Sequence, residues 1–139
     1  MVVFLSMVAC NTQEPKAEQG KLYVITTTGM IADAVKKIGG DDVEVDALMG
    51  PGVDPHLYKA RQSDLKKLNE ADIIFYNGLG LEGNMAASIA NYGRQKPTVA
   101  LGEQLSTEAL LKTEYGGELA YDPHIWFDLE IWKEAVAGV

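Results

Sequence analysis

Apolar residues along this chain switch repeatedly between two rhythms, a short β-branched run and a longer stretch at helical spacing. Lys21-Leu22-Tyr23-Val24-Ile25-Thr26-Thr27-Thr28 is rich in β-branched and aromatic residues and stops at Gly29, which predicts a buried strand and then a turn. Met30, Ile31, Ala34, Val35 and Ile38 then share one helical face before Gly39-Gly40 ends it. Residues 43–48 alternate apolar with acidic side chains, predicting a half-exposed strand that runs into Gly50-Pro51-Gly52. Helical spacing returns over 63–70, with Leu65 and Leu68 as the apolar stripe and Lys66 and Lys67 on the wet side. Residues 72–76 read as a third strand and 97–101 as a fourth. Between them, 81–90 reads as a helix weakened by Gly83. Residues 107–111 suit a short helical turn and 115–120 a loop, and Asp128 caps a last helix carrying Leu129, Ile131, Trp132 and Val136.

Strands separated by helices on short connections predict an α/β fold: about four strands in a mostly parallel sheet, with helices on both faces. The side chains that bind ligands in such sheets collect beyond the strands' carboxyl ends. At 139 residues and 47% hydrophobic, with 23% charged, the chain is rich enough in apolar groups to fold as one domain. Twelve basic and twenty acidic residues leave a net charge of −8, which repels a phosphate backbone and favours a cation as partner, so nucleic acid is not expected to bind.

Residues 1–9 carry no charge and lead directly to Cys10, after which the sequence turns polar as far as Gly20. Nine uncharged, mostly apolar residues are too few to span a bilayer, and small residues before a cysteine are what a lipoprotein-processing enzyme requires. Met7-Val8-Ala9-Cys10 resembles a bacterial lipobox, with Met where Leu is usual and no basic segment ahead of it. Residues 1–20 are therefore expected to be the end of a signal peptide, the lipobox and a polar tether, with Cys10 lipidated, and 21–139 the α/β lobe. A buried first strand holding a free cysteine is the competing reading.

The chemistry is concentrated in one repeated tripeptide. Asp54-Pro55-His56 and Asp122-Pro123-His124 contain both histidines of the chain, and each is followed two residues later by an aromatic, Tyr58 or Trp126. Proline fixes its own φ and pushes the preceding residue toward extended geometry, so a histidine just after it has lost backbone freedom before anything binds. Such an imidazole is a preorganised metal ligand. A lone Asp-Pro-His is more simply a turn, but two copies that use every histidine point to a shared ion. Asp54 and Asp122 either orient the ligands' other ring nitrogens or form turns through their own backbone, with Pro55 and Pro123 positioning the loops. Glu82 and Asp128 are further carboxylates to weigh as ligands, while Tyr58 and Trp126 suit packing. The threonines at 26–28 suit capping of the following helix more than anion binding.

Gly50-Pro51-Gly52-Val53-Asp54-Pro55-His56-Leu57-Tyr58, Ser63-Asp64 with Ala71-Asp72, Asn77-Gly78-Leu79-Gly80-Leu81-Glu82, and Asp122-Pro123-His124-Ile125-Trp126-Phe127-Asp128 occur in an order that resembles the lipoprotein receptors of manganese and zinc ABC importers. The resemblance implies a solute-binding protein of the bacterial cell envelope, extracytoplasmic and lipid-anchored. Its partners would be ABC permease subunits, and it would capture a divalent metal ion, manganese or zinc, without catalysis. It implies that His56 and His124 are the metal ligands of the first of two lobes, facing two further ligands from a second lobe. The chain ends soon after Trp132, before the helix that joins the lobes in that family, so the second lobe is expected to be absent. Zinc receptors of the family often carry a histidine-rich loop before the second tripeptide. Residues 113–120 contain no histidine, which leans toward manganese or dual use. Two other classes stay open. A metallohydrolase needs an open coordination position and a nearby base, but no His-x-x-x-His pair, cysteine cluster or Gly-x-Ser-x-Gly elbow supports one. A surface adhesin-like lobe would act by protein contact, and only loss or survival of partner binding on histidine replacement separates it.

Overall fold

The computed structural model describes residues 20–115 and 118–139, so Cys10 and its surroundings lie outside the described residues. Strand β1 (Leu22–Thr28) leads into helix α1 (Gly29–Gly39) and strand β2 (Val43–Met49). A long connection carries the first Asp-Pro-His to helix α2 (Gln62–Glu70), followed by β3 (Ile73–Tyr76), α3 (Ala86–Tyr92) and β4 (Thr98–Ala100). These four strands form one parallel sheet in the order β2-β1-β3-β4, with Val24 paired to both Val45 and Ile73 and Phe75 paired to Val99. Strands β5 (Lys112–Tyr115) and β6 (Glu118–Tyr121) pair antiparallel as a separate ribbon before α4 (Leu129–Val136).

Successive residues of a strand face opposite sides, and β1 is apolar on both. Val24 joins Ile31 and Val35 of α1 and Ala135 of α4 in one core cluster, whereas Tyr23 and Ile25 join Leu68 of α2 and Ile89 of α3 in the other. Helices therefore cover both faces, as expected for a parallel sheet. Each fully buried aliphatic side chain contributes about 1.5–3 kcal/mol, so the central strand with a core on each side anchors the fold. Among the described residues, no helix is long and apolar enough to cross a membrane.

Four local expectations need correction. Of the segment read as a loop at 115–120, residues 115 and 118–120 belong to the β5–β6 ribbon, in which Thr113 pairs with Ala120 and Glu114 with Leu119. The helix expected over 81–90 begins only at Ala86, after a 3-10 turn at Gly83–Met85. Glu82 causes this by turning its carboxylate back onto the amides of Asn77 and Gly78, which coils residues 77–82 into a tight loop instead of a helical turn. Leu65 is 39% exposed, because α2 is rotated to bury Asp64 and Leu68, four residues apart on one face. Asp64 accepts hydrogen bonds from the Arg61 N–H and the Tyr58 hydroxyl, both at 2.7 Å, and is drawn inward by them. Finally, Thr28 occupies the N-cap position of α1 without a side-chain cap bond. The Thr26 hydroxyl instead bonds the carbonyl of Thr28, and the Thr27 hydroxyl bonds Glu82.

Candidate metal centre

The sheet changes direction at β1: the chain goes to β2 on one side and returns to β3 on the other. The carboxyl ends of strands on either side of such a reversal diverge and leave a crevice. The loop after β2 carries His56 to this edge. The loop after β3 lies at the same edge, tied to the end of β1 by the 2.7 Å bond from Thr27 to Glu82. His124 follows the β5–β6 ribbon, whose Asp122 N–H is held by the Leu111 carbonyl.

The two imidazoles meet. His56 Nε2 and His124 Nε2 lie 3.5 Å apart, with ring centroids at 5.4 Å and planes tilted by 58°. A good hydrogen bond between ring nitrogens is much shorter, so 3.5 Å is a poor one. It suits two ligands of one ion better: nitrogens about 2.0–2.1 Å from a tetrahedral zinc lie about 3.3 Å from each other. Beside the pair is a hollow of about 470 Å³ bordered by Leu79, Gly80, Thr113 and Tyr121.

Each tripeptide fixes its histidine through its own aspartate. Asp54 Oδ1 accepts the His56 N–H at 2.9 Å, and Asp122 Oδ1 accepts the His124 N–H at the same distance. Asp122 goes further, accepting His124 Nδ1 at 2.6 Å. That contact makes Nδ1 the protonated nitrogen and turns the Nε2 lone pair toward His56, the tautomer a metal requires. The backbone and ring hydrogen bonds from His124 outweigh partial burial and hold Asp122 below the usual carboxylate range. Pro123 offers its carbonyl to the Asn77 amide at 2.9 Å, whereas Pro55 borders a neighbouring hollow with Trp126. Trp126 stands edge-on to His124, with centroids 5.3 Å apart, and Tyr58 anchors the His56 loop through Asp64.

The other carboxylates weighed as ligands are occupied elsewhere. Asp128 caps α4, accepting from the amides of Glu130 and Ile131. Glu82, 2% exposed, receives Thr27 and Asn77 on Oε1 and Gly78 on Oε2. Among the described residues, no group of three His, Cys, Asp or Glu side chains is assembled for an ion. The arrangement offers two nitrogen donors and open coordination positions. Sequence reasoning quoted Asn77 and Asp64 only within the blocks of the resemblance and gave them no role, yet each secures a histidine loop. No pattern around either marks it: Asp64 stands between Ser63 and Leu65 and Asn77 between Tyr76 and Gly78, and the partners that fix them are set by tertiary packing.

Comparison with known proteins places these features in context. Residues 24–139 match the family described as zinc-uptake complex component A, periplasmic. The chain is 44% identical over 132 residues to the manganese-binding lipoprotein MntA of Bacillus subtilis, covering 94% of this chain and 42% of that protein. It is 46% identical over 123 residues to the zinc-binding protein TroA of Treponema pallidum, covering 88% and 39%. The solved structure of the periplasmic zinc-binding protein TroA superposes with a TM-score of 0.80 over 86% of this chain and 42% of that one, at 44% identity. The chain thus spans less than half the length of the relatives it matches.

Proposed function

The chain belongs to the zinc-uptake complex component A periplasmic family, and from that premise we propose that it is the metal-capturing lobe of a substrate-binding protein for a manganese or zinc ABC importer. His56 and His124 are the ligands it contributes, Asp122 orients His124, and the bound ion is cargo handed to permease subunits in the membrane. The observation that carries this reading is the pair of Nε2 atoms 3.5 Å apart, one of them backed by a carboxylate on Nδ1. Residues 21–139 form the lobe and residues 1–20 the export and tether segment. Cys10 is the lipidated residue that holds the protein outside the membrane. The lipoprotein names of relatives such as MntA support that anchor, and labelled palmitate entering wild type but not Cys10→Ala would test it.

The lobe binds and releases; it does not catalyse. Two imidazoles leave the remaining positions of the ion to water, so zinc binds measurably but weakly and manganese, which favours oxygen donors, hardly at all. Zinc at about ten times its dissociation constant stabilises a protein by about 1.4 kcal/mol, a rise of roughly 5 °C in melting temperature for a chain of this size. The rise is expected for wild type and absent from His56→Ala and His124→Ala. A zinc-dependent rise that survives both replacements would assign the ion to other residues.

A further inference from the structure

The loop at residues 77–83 supplies no metal ligand, yet it touches both histidine loops and is held in a conformation few sequences would adopt unaided. Gly78, Leu79 and Gly80 all have positive φ, at 77°, 53° and 81°. The first and last are tolerated by glycine, but a leucine in the left-handed region is strained by its Cβ. Strain of this kind persists only where the surroundings enforce it. Here Glu82 enforces it, binding the amides of Asn77 and Gly78 and the hydroxyl of Thr27 from a site that is 2% exposed. Leu79 is also wedged over Gly102, where even a Cβ would fall 2.7 Å from its Cδ1.

The two ends of this rigid loop meet the two histidine loops. At one end the Asn77 side-chain amide, 1% exposed, donates to the Pro123 carbonyl at 2.9 Å, one residue before His124. At the other, Gly83 lies so close to His56 that a Cβ added there would sit 3.1 Å from the His56 carbonyl oxygen. We propose that the 77–83 loop is a spacer that sets the separation of the two imidazoles, with Asn77 and Gly83 as its positioning residues for the metal. This rests on the reading of His56 and His124 as the ligands. The two histidine loops meet through their rings at 3.5 Å, while behind the rings the first packs against Gly83 and the second is bonded to Asn77, so both rest on one strained, buried element.

Gly83→Ala isolates the effect. Gly83 has no positive φ and alanine suits a helical turn better than glycine, so the variant is expected to fold, which its metal-free melting temperature checks. Only the His56 carbonyl must retreat, by a few tenths of an ångström. Zinc binding to the full chain by calorimetry is expected to weaken by about 10–100-fold in Gly83→Ala and in Asn77→Ala, the usual range for loss of a residue that supports a ligand. The visible spectrum of bound cobalt(II) should change as well, while the melting temperature of metal-free Gly83→Ala stays at or above wild type. Gly83→Ala binding zinc as wild type does, with the same cobalt spectrum, overturns the spacer even if Asn77→Ala fails to fold. Zinc binding retained by His56→Ala and His124→Ala instead overturns the ligand assignment and the spacer with it. Binding lost in those two variants but unchanged in Gly83→Ala overturns the spacer alone.

Discussion

Replacing Glu82 tests whether one buried carboxylate holds the edge of the sheet where the histidines meet. Its Oε1 accepts the Thr27 hydroxyl and the Asn77 amide, both at 2.7 Å, and its Oε2 accepts the Gly78 amide at 3.1 Å. Glu82→Ala removes the acceptor for three donors, two of them backbone amides with nowhere else to go, and opens a cavity. At roughly 1–3 kcal/mol per stranded donor, partly relieved by relaxation, the loss should be about 3–5 kcal/mol. Glu82→Gln keeps one oxygen, which can serve the Thr27 and Asn77 donors, but sets an NH₂ against the Gly78 N–H. One charge-assisted bond is lost and one buried charge relieved, for a net cost of about 1–2 kcal/mol near neutrality. The pH dependence separates these contributions. Burial raises the Glu82 carboxyl above its ordinary value of 4.5 in spite of its donors. A folded pKa above the unfolded one gives a stabilisation fully present below the unfolded value and lost as pH rises through the folded value. Glutamine does not titrate, so the gap between wild type and Glu82→Gln should be widest near pH 4.5 and narrow toward pH 7. Urea unfolding at the two pH values reads it. A gap that widens with pH would mean that the donors outweigh burial, and a Glu82→Ala variant within 1 kcal/mol of wild type would refute the account of this loop.

Two other replacements should behave differently from each other. Asp122→Ala leaves His124 Nδ1 without its carboxylate and should weaken zinc binding by about 10–100-fold in calorimetry, with a smaller effect on unfolding. Lys96→Met should do the reverse: its ammonium binds the carbonyls of Leu68, Asn69 and Ala71 at the carboxyl end of α2, so urea unfolding should show a loss of about 1–2 kcal/mol with zinc affinity unchanged.

The sheet was legible because its central strands β1 and β3 bury side chains on both faces, β2 alternates apolar with acidic residues, and α1 carries a clear stop at Gly39-Gly40. The convergence of the histidines was legible from the repeated tripeptide; the rule that loops gather at strand carboxyl ends accounts only for His56, which follows β2, because His124, 68 residues on, arrives from the separate β5–β6 ribbon. The β5–β6 ribbon was overlooked despite a readable signal, since Gly116-Gly117 lies between Thr113-Glu114-Tyr115 and the apolar Leu119 and Tyr121. The late start of α3 was not readable. It follows from Glu82 choosing the amides of Asn77 and Gly78 over a place in a helix, a choice made by tertiary burial and not by spacing. Asn77 was equally silent, because its partner is a backbone carbonyl 46 positions away and carbonyls leave no mark in a sequence. The inward face of α2 was misplaced for the same reason. Asp64 is buried by hydrogen bonds from Tyr58 and Arg61, so a polar residue stands where an apolar stripe was expected.

The central claim is that His56 and His124 take one ion through their Nε2 atoms. With only two histidines in the chain, long-range proton–nitrogen correlation spectra of the imidazoles during a zinc titration test it directly. Both Nε2 signals are expected to move together and saturate at one zinc per chain, while His124 Nδ1 stays protonated against Asp122. Zinc that moves only one ring, or that binds through His124 Nδ1, or that saturates without disturbing either imidazole, would contradict it.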